Sequence, residues 1–390
     1  MILSFTDARA AILREIVPLP TPETVPLAQA LQRVLALPLL ADRDIPALDR
    51  SVRDGYAVRA ADLPGPLPIT ATIRAGDPPS TLPPHQAHEI MTGAPLPQGA
   101  DAVLMIEHAV RTGDHLTHPA VPVGTFISRR AEEAHQSQTL IPAGTRLDPT
   151  HIALLAACGH PEVTVYRKPT VALLATGDEL VAIETIPLPH QVRNSNAHAL
   201  AAQVHRAGGI PQLLPIAPDD PIATRALIEQ SLHADLLLLS GGVSAGKFDY
   251  VEQALAELGA TFHFDRALIQ PGAPVVFGHV QSKPFFGLPG NPASTYVTFE
   301  LFARLALDLL SGQRESHLRL SYALLTVPYK HKPGLTRFLP AHVSPTGHLT
   351  PIKWRGSADL PSLARANAFL IADPAREQWN TGDLIPLLWK

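Results

Sequence analysis

Hydrophobic residues recur at helical spacing in several stretches of the chain, so that each stretch would turn one apolar face towards a core. This pattern predicts helices over residues 6–16, 27–35, 148–158, 194–207, 221–232, 250–258 and 292–310. Asn194 or Ser195 is expected to cap the helix over 194–207, because either side chain can accept a hydrogen bond from the first helical turn.

Short apolar runs without helical spacing mark the predicted strands. Residues 45–134 alternate such runs with Gly and Pro turns, which is typical of β-rich structure. The strands predicted there cover 69–73, 88–91 and 102–107. Residues 169–310 instead alternate strands with helices, which predicts a mostly parallel α/β sheet. The strands predicted there cover 170–175, 210–216, 235–239, 275–278 and 284–288. The return to short strands and turns after residue 314 predicts a small β domain.

Composition narrows the class of protein. A chain of 390 residues exceeds the usual length of one domain. With 31 Lys and Arg against 35 Asp and Glu, its net charge of −4 argues against a nucleic-acid partner or a membrane-binding basic surface. The single cysteine, Cys158, excludes a disulfide framework and a thiolate metal site within one chain. No signal peptide and no membrane-spanning apolar run are predicted, so a cytoplasmic location is expected.

Polar loops follow four of the predicted strands of the α/β region. Ligands of open parallel sheets bind beyond the carboxyl ends of the strands, and all four loops are expected at that edge. The candidate residues in these loops are Thr176, Gly177, Asp178 and Glu179; Asp219 and Asp220; Ser240, Gly241, Gly242, Ser244 and Asp249; and Pro289, Gly290 and Asn291. This shared edge is the main physical indication of a site.

The loop over 240–249 admits two interpretations. Glycines let backbone N–H groups converge on an anion, and the N-terminus of the following helix adds partial positive charge, which favours a phosphate site. Alternatively, the glycines serve a tight turn that needs positive φ. Both interpretations stay open from the sequence alone.

The acidic residues of these loops also have two interpretations. Carboxylates gathered at one edge repel each other unless a hard cation lies among them, and Mg²⁺ bridging carboxylates and substrate phosphates suits such a place. In the alternative, Asp219, Asp220 and Asp249 are solvated residues at helix starts, where the helix dipole favours them. Asn291 can likewise be only an N-cap before Pro292. For the polar turns around Asp54 and Thr92, outside the α/β region, the pattern alone favours turn chemistry over a functional role.

Six ordered motifs together resemble the molybdopterin molybdenumtransferase family, which includes bacterial MoeA and the E domain of gephyrin. The resemblance covers nearly the whole chain. The motifs occupy residues 44–59, 92–107, 176–180, 194–196, 240–250 and 288–292. Their order makes the resemblance far more specific than any one of them.

The resemblance implies a multidomain α/β protein with four domains. These are a split N-terminal domain over 1–44 and 135–168, an elongated β-rich arm over 45–134, a molybdopterin-binding α/β domain over 169–313 and a C-terminal β domain over 314–390. It also implies a homodimer in which each site combines the α/β domain of one subunit with the arm of the other. The upstream molybdopterin adenylyltransferase and recipient molybdoenzymes are further expected partners.

The implied reaction inserts molybdate into adenylylated molybdopterin, with Mg²⁺ as cofactor and release of AMP. By the resemblance, Glu179 and Asp249 are catalytic, and Asp54 and Thr92 complete the site from the partner subunit. The implied metal ligands are Glu179, Asp219 or Asp220, and Asp249. The implied substrate-binding residues are Thr176, Gly177, Asp178, Asn196, Ser240, Gly241, Gly242, Ser244, Pro289, Gly290 and Asn291.

The chain departs from the family pattern at two places. Ala131-Glu132-Glu133 replaces Gly-Glu-Asp, and the longer Glu133 side chain can misplace a carboxylate. Gln270 and Ala273 replace two lysines of a Lys-Pro-Gly-Lys-Pro run, and Arg266, Lys247 or Arg53 are the cations that could compensate. The lost lysines motivate an alternative function, a molybdopterin-binding or carrier paralogue with little turnover. A third hypothesis is an adenylyltransferase, against which the arm and the C-terminal β domain argue.

Overall fold

A computed structural model describes residues 1–19, 21–242, 250–314 and 318–390. The chain forms two compact units. Unit 1 comprises Met1–Ala36, Gly144–Asp148 and Glu162–Lys390, and unit 2 comprises Leu37–Ala143 and Pro149–Pro161. The α-helices of the described residues are α1 (Phe5–Glu15), α2 (Pro149–Ala157), α3 (Ser195–Arg206), α4 (Pro221–Ser231), α5 (Tyr250–Glu257), α6 (Pro292–Thr298), α7 (Arg304–Leu310) and α8 (Leu360–Arg365). The four-domain boundaries implied by the resemblance stay a prediction.

A six-stranded sheet forms the centre of unit 1. Its strands are β1 (Thr170–Ala175), β2 (Ile210–Leu213), β3 (Leu236–Ser240), β4 (Thr261–Phe264), β5 (Val276–Val280) and β6 (Lys283–Leu288). They lie in the order β2-β1-β3-β6-β5-β4. The first four are parallel, and β5 and β4 are antiparallel to their neighbours. The predicted parallel arrangement therefore holds for the four strands that precede the polar loops.

Helices cover both faces of this sheet, which explains why its central strands are apolar throughout. All five residues of β3 are buried. On one face Leu236 and Leu238 join a large core with α1, α6 and α7. On the other face Leu237 and Leu239 pack in a second core with α4 and α5. Burial on two faces removes the polar alternation that a half-exposed strand would show.

Helix starts follow the cap chemistry that the sequence predicts. Asn194 is the N-cap of α3, and its side chain accepts a hydrogen bond from Ala197 N at 3.2 Å. Asp220 is the N-cap of α4, accepts from Ala223 N at 2.7 Å and precedes Pro221 at the first helical position.

Two helix predictions need correction. The helix predicted over 27–35 is wrong, since only Leu27–Gln29 forms a 3₁₀ turn. Gln32 then adopts a φ of 64°, and Val34 and Leu35 pair as β-bridges with Arg146 and Val165. The predicted helix over 292–310 is α6 and α7 joined by a π-helix over Phe299–Ala303. Arg9 donates a hydrogen bond to the carbonyl of Leu301 within this wider turn.

Two further sheets have six strands each. In unit 2 the order is Ala102–Met105, Gly55–Val58, Ala87–Ile90, Leu67–Ile73, His115–Thr117 and Val110–Thr112. In unit 1 the order is Ile269–Gln270, Thr336–Val343, His348–Pro351, Leu320–Leu325, Leu384–Trp389 and Ala368–Ala372. The last strand pairs again with Thr336–Val343, which closes a small barrel.

Short strand pairs complete the described structure. They are Ile2–Leu3 with Arg266–Ala267, Pro22–Pro26 with Glu162–Tyr166, Leu39–Leu40 with Thr139–Ile141, Arg50–Ser51 with Ile127–Ser128, Leu180–Val181 with Val192–Arg193, and Tyr329–Lys330 with Gln378–Trp379. Across the described ranges, no helix combines the length and the apolar character that crossing a membrane requires.

Candidate functional site

The carboxyl ends of the four parallel strands meet, as the sequence predicts. Thr176 N, after β1, donates to Ser240 O at 3.1 Å. Gly241 N, after β3, donates to Leu288 O of β6 at 3.2 Å. Thr176 also forms a parallel bridge with Ala217, beyond β2. The loops that carry most of the candidate residues therefore start from one hydrogen-bonded edge.

Gly241 and Gly242 are required by backbone conformation and by space. Their φ angles are +91° and +61°. A Cβ atom on Gly241 would lie 2.7 Å from the carbonyl oxygen of Thr176, and one on Gly242 would lie 2.8 Å from Thr176 Oγ1. The tight-turn interpretation is therefore confirmed for these two glycines. Ser244, Lys247 and Asp249 lie outside the described residues, so their predicted roles stay predictions.

Asn196 connects two of the loops. From the first turn of α3 its Nδ2 donates to Ser240 Oγ at 3.0 Å and to the carbonyl oxygen of Gly290 at 2.8 Å. The first acceptor follows β3 and the second follows β6. Asn196 thus lies at the meeting point of the candidate residues, although its amide hydrogens point to protein atoms.

The acidic residues lie on adjacent loops with different partners. Asp178 Oδ1 accepts a hydrogen bond from Asp219 N at 3.0 Å, which ties the loop after β1 to the loop after β2. Asp220 Oδ1 caps α4. The Glu179 carboxylate folds back over Gly177, where a Cβ atom would collide with it.

These acids offer hard oxygen donors, the ligand type that Mg²⁺ prefers. Within the described residues, no group of three His, Cys, Asp or Glu side chains is placed to hold a metal ion by itself. Mg²⁺ commonly takes one or two protein carboxylates together with substrate phosphates and water. Exposed Glu179 and Asp219 fit that smaller role.

Asn291 and Pro289 border a cavity of about 650 Å³ in unit 1. Asn291 is the N-cap of α6, as the sequence allows, but its side chain makes no capping hydrogen bond. The loop is held instead by Thr295, whose hydroxyl donates to the carbonyl oxygens of Pro289 and Asn291. The Asn291 amide is therefore not used by the helix that it precedes.

The same cavity holds the positions of the replaced lysines. Gln270 and Ala273 line it, and so do Arg337, Trp354 and Arg355 from the C-terminal part of unit 1. Arg337 is the direct cross-strand partner of Gln270. The predicted compensating cations are not among its described lining residues, since Arg266 lies in a separate strand, Arg53 in unit 2 and Lys247 outside the described residues.

Two side chains that line the cavity each carry a buried donor with no hydrogen-bond partner in the described part of the chain. Arg337 Nε and Trp354 Nε1 are both buried and without a partner among the described residues. An unpaired buried donor is unfavourable by about 1–3 kcal/mol. Both nitrogens are covered by protein atoms, so an acceptor in the cavity would reach them only if the wall moved. Sequence reasoning missed both residues. Arg337 reaches this loop only through the pairing of Ile269–Gln270 with Thr336–Arg337.

In unit 2 Asp54 and Thr92 are in direct contact. Asp54 Oδ1 accepts from Thr92 N at 2.7 Å and from Thr92 Oγ1 at 2.8 Å. These two donors, the backbone N–H first, lower the pKa of Asp54 below its ordinary value. The carboxylate is exposed and stays ionised at neutral pH, as an electrostatic role requires.

The segment over 129–133 is also ordered by acidic residues. Asp44 pairs with Arg130 at 2.6 Å and Asp49 with Arg129 at 2.7 Å. Glu133, the longer replacement for aspartate, pairs with Arg50 at 2.6 Å. Glu133 therefore takes part in an ion pair on the surface of unit 2.

Family models match three consecutive parts of the chain. Residues 3–159 match the MoeA N-terminal region (domains I and II), residues 172–308 match a probable molybdopterin-binding domain, and residues 322–388 match the MoeA C-terminal region (domain IV). Together they define a multidomain protein of the MoeA type, with the strand-end site in the second part and the barrel in the third.

Individual relatives and a solved structure are similar to the chain over most of its length. A molybdopterin molybdenumtransferase of Bacillus subtilis is 35% identical over 94% of this chain and 89% of its own, and one of Nostoc is 40% identical over 74% and 70%. The crystal structure of a molybdopterin biosynthesis MoeA protein from Pyrococcus horikoshii OT3 has a TM-score of 0.85, with 27% identity over 100% of both chains. The chain belongs to the molybdopterin molybdenumtransferase family, whose members act in molybdenum cofactor biosynthesis.

Proposed function

We propose that this chain inserts molybdate into adenylylated molybdopterin, in a Mg²⁺-dependent reaction that releases AMP. The observation that carries the proposal is the cavity beside Asn291, which Arg337 and Arg355 line. A tetrahedral oxyanion offers acceptors in several directions and carries the negative charge that an arginine favours.

This cavity supports oxyanion binding without the two family lysines. Arg337 lies directly across from Gln270, so a guanidinium is present beside one of the lost ammonium groups. Arg355 adds a second cation to the lining. The cavity therefore still contains two arginines although Gln270 and Ala273 stand where the family pattern has lysines.

In this proposal the strand-end loops bind the phosphates of the substrate next to this cavity. Pro289 and Asn291 belong to both, because they follow β6 and also line the cavity. In this proposal Glu179 and Asp219 hold Mg²⁺ together with the substrate phosphates, and Mg²⁺ supplies charge neutralisation for phosphoanhydride cleavage. The dithiolene of the substrate binds the inserted metal, so no protein cysteine is required.

The proposal includes a homodimer with shared sites, to which Asp54 and Thr92 contribute from the partner subunit. The Asp54 carboxylate, held in its ionised form by Thr92, is suited to orienting a cation or a polar group of the substrate. The expected external partners are the adenylyltransferase that makes the substrate and the molybdoenzymes that receive the product.

One alternative has an observation in its favour. A molybdopterin-binding carrier with little turnover would retain the cavity and tolerate loss of the lysines at positions 270 and 273. It predicts tight binding of adenylylated molybdopterin, measured by calorimetry, with no AMP produced.

The test is an assay of the purified protein with adenylylated molybdopterin, Mg²⁺ and molybdate. We expect AMP release and the formation of cofactor that activates a molybdenum-free recipient enzyme. Arg355→Gln keeps a polar side chain but removes the charge, and should raise the molybdate concentration for half-maximal rate roughly 5- to 10-fold, the value of about one hydrogen bond. Phe338→Leu, a core change outside the cavity lining, serves as a packing control. Absence of AMP under all conditions would reject the insertase.

A further inference from the structure

Asn196 is the one candidate residue whose side chain bridges the loop after β3 and the loop after β6 among the described contacts. Its Nδ2 carries two hydrogens, and the two acceptors, Ser240 Oγ and Gly290 O, account for both. A substrate acceptor therefore has no amide hydrogen of Asn196 to bind. The resemblance implied a substrate-binding role, for which the observed contacts leave only the Oδ1 oxygen.

We infer that Asn196 is a positioning residue, which fixes the phosphate part of the site relative to the oxyanion cavity. This inference rests on the proposed function for its catalytic consequence. The clamp itself, from α3 to Ser240 and Gly290, stands on the hydrogen bonds alone.

One end of the clamp orients Ser240. Because Ser240 Oγ accepts from Asn196, its own O–H is left to donate elsewhere. Ser240 is 3% exposed, so this hydroxyl has few orientations available. The hydrogen bond from Asn196 thereby restricts the orientation of the buried Ser240 hydroxyl at the start of the glycine turn.

The other end holds the rim of the cavity. Gly290 lies between Pro289 and Asn291, which both line the cavity. Gly290 also lies beside Gly241, since a Cβ atom on it would be in ordinary van der Waals contact with Gly241 Cα, at 3.6 Å. One amide thus sets the separation of two loops that would contact different groups of one substrate.

The expected kinetic signature is a loss in kcat. When both ligands bind but their reacting groups are misaligned, the rate falls more than the affinity, and a displacement of about 1 Å can lower it on the order of 100-fold. For Asn196→Asp we expect kcat for AMP release to fall roughly 10- to 100-fold, with KM for molybdate changing less than about 3-fold.

Asn194→Asp is the matched control. It introduces the same carboxylate at the start of the same helix, but Asp caps a helix as well as Asn does, because Asn194 acts as an acceptor. We expect its kcat to stay within about 2-fold of the original. Comparison of the two variants therefore separates the loss of the Asn196 hydrogen-bond donors from any effect of a new negative charge at the start of α3.

The pH profile provides a readout that general destabilisation would not change. In the Asn196→Asp variant, the protonated form of the new carboxyl group can donate one hydrogen bond, whereas the ionised form donates none. The activity of Asn196→Asp relative to Asn194→Asp should therefore rise as the pH falls. Equal loss at every pH, or a change confined to KM, would overturn the positioning role.

Hydrogen exchange separates this inference from the proposed reaction. If the protein releases no AMP, the reaction fails, yet Asn196→Ala should still speed amide exchange in segments 240–242 and 289–291 relative to Asn194→Asp. Unchanged exchange in both segments would refute the clamp itself.

Discussion

Ala131 adopts a backbone conformation that suits glycine. Its φ is 62°, in the left-handed region, at the position where the family pattern has Gly. A side chain there is unfavourable by roughly 1–2 kcal/mol, part of which the smaller unfolded-state entropy of alanine offsets. The segment holds this conformation through Ala131 N, which donates to Pro46 O at 3.0 Å.

We expect Ala131→Gly to raise the free energy of unfolding of unit 2 by about 1 kcal/mol, measured by urea denaturation. Ala153→Gly is the control, because it makes the same chemical change inside α2, where glycine should lower stability by a similar amount. Destabilisation by both substitutions would show that the left-handed conformation of Ala131 stores no strain.

Single positions differ in how well the sequence reveals them. Asn194 and Asp220 were predictable as helix caps or helix-start residues, because a cap and the N–H group that it accepts from lie within one turn. Arg337 was not predictable, since its place beside Gln270 depends on strand pairing between segments far apart in sequence. Periodicity and local chemistry carry no information on such pairings.

Helix periodicity predicts apolar faces better than it predicts continuous helices. Residues 27–35 have helical spacing, yet Val34 and Leu35 are buried as β-bridges. Tertiary pairing here overrides local preference. The parallel strands were predictable because runs such as Leu236–Leu239 are apolar at every position, as strands covered on both faces must be.

A histidine pair joins the two antiparallel strands of the α/β sheet. His263 Nε2 and His279 Nδ1 are 2.9 Å apart, and Glu15 Oε2 of α1 lies 3.9 Å from His263 Nε2. Burial first, and then His263, lower the pKa of His279, while Glu15 opposes the shift. The folded protein therefore resists protonation of His279.

The sign of the resulting pH dependence follows from linkage. The unfolded chain takes up the proton at about pH 6.5, before the folded chain does, so stability is lost as the pH falls through that value. The loss is complete once the pH is below the lowered folded pKa. The free energy of unfolding should therefore drop between about pH 7.5 and 5.0, and we expect His279→Gln to make this drop smaller. The control is His160→Gln, at an exposed position, which should leave the drop as large as in the original protein. An equal drop in both variants would contradict this explanation.

The proposed shared-site arrangement can be tested with one substitution in each unit that we expect to abolish activity. Asp54→Asn alters unit 2 and Glu179→Gln alters unit 1. If each site combines the two units from different subunits of a dimer, half of the dimers in a random mixture are mixed, and each mixed dimer has one intact site. Co-refolded variants should then regain about a quarter of the original rate of AMP release, although each alone is inactive.

Two outcomes would argue against shared sites. Complete lack of recovery after refolding together would indicate that each subunit builds its own site. A single-subunit mass in solution, measured by light scattering, would exclude the arrangement directly. Mixing without refolding serves as the control, because subunits that do not exchange give no recovery.

The larger arrangement was only partly predictable from the sequence. The meeting of the strand-end loops follows from one rule, that parallel strands point their carboxyl ends to one edge. The cavity does not follow from it, because Ile269–Gln270 leaves the α/β sheet and pairs with Thr336–Arg337 of the barrel. The loop with Gln270 and Ala273 lacks the lysines of the family motif. In the structure this loop nevertheless lies next to two arginines.

Asn291 immediately precedes α6, but its side chain makes no hydrogen bond that caps the helix. A side-chain cap contributes about 1 kcal/mol, and the chain forgoes it where the same residue borders the cavity. The Asn291 amide is therefore available to a molecule bound in the cavity. Substitutions that improve helix capping to raise thermal stability should therefore avoid position 291.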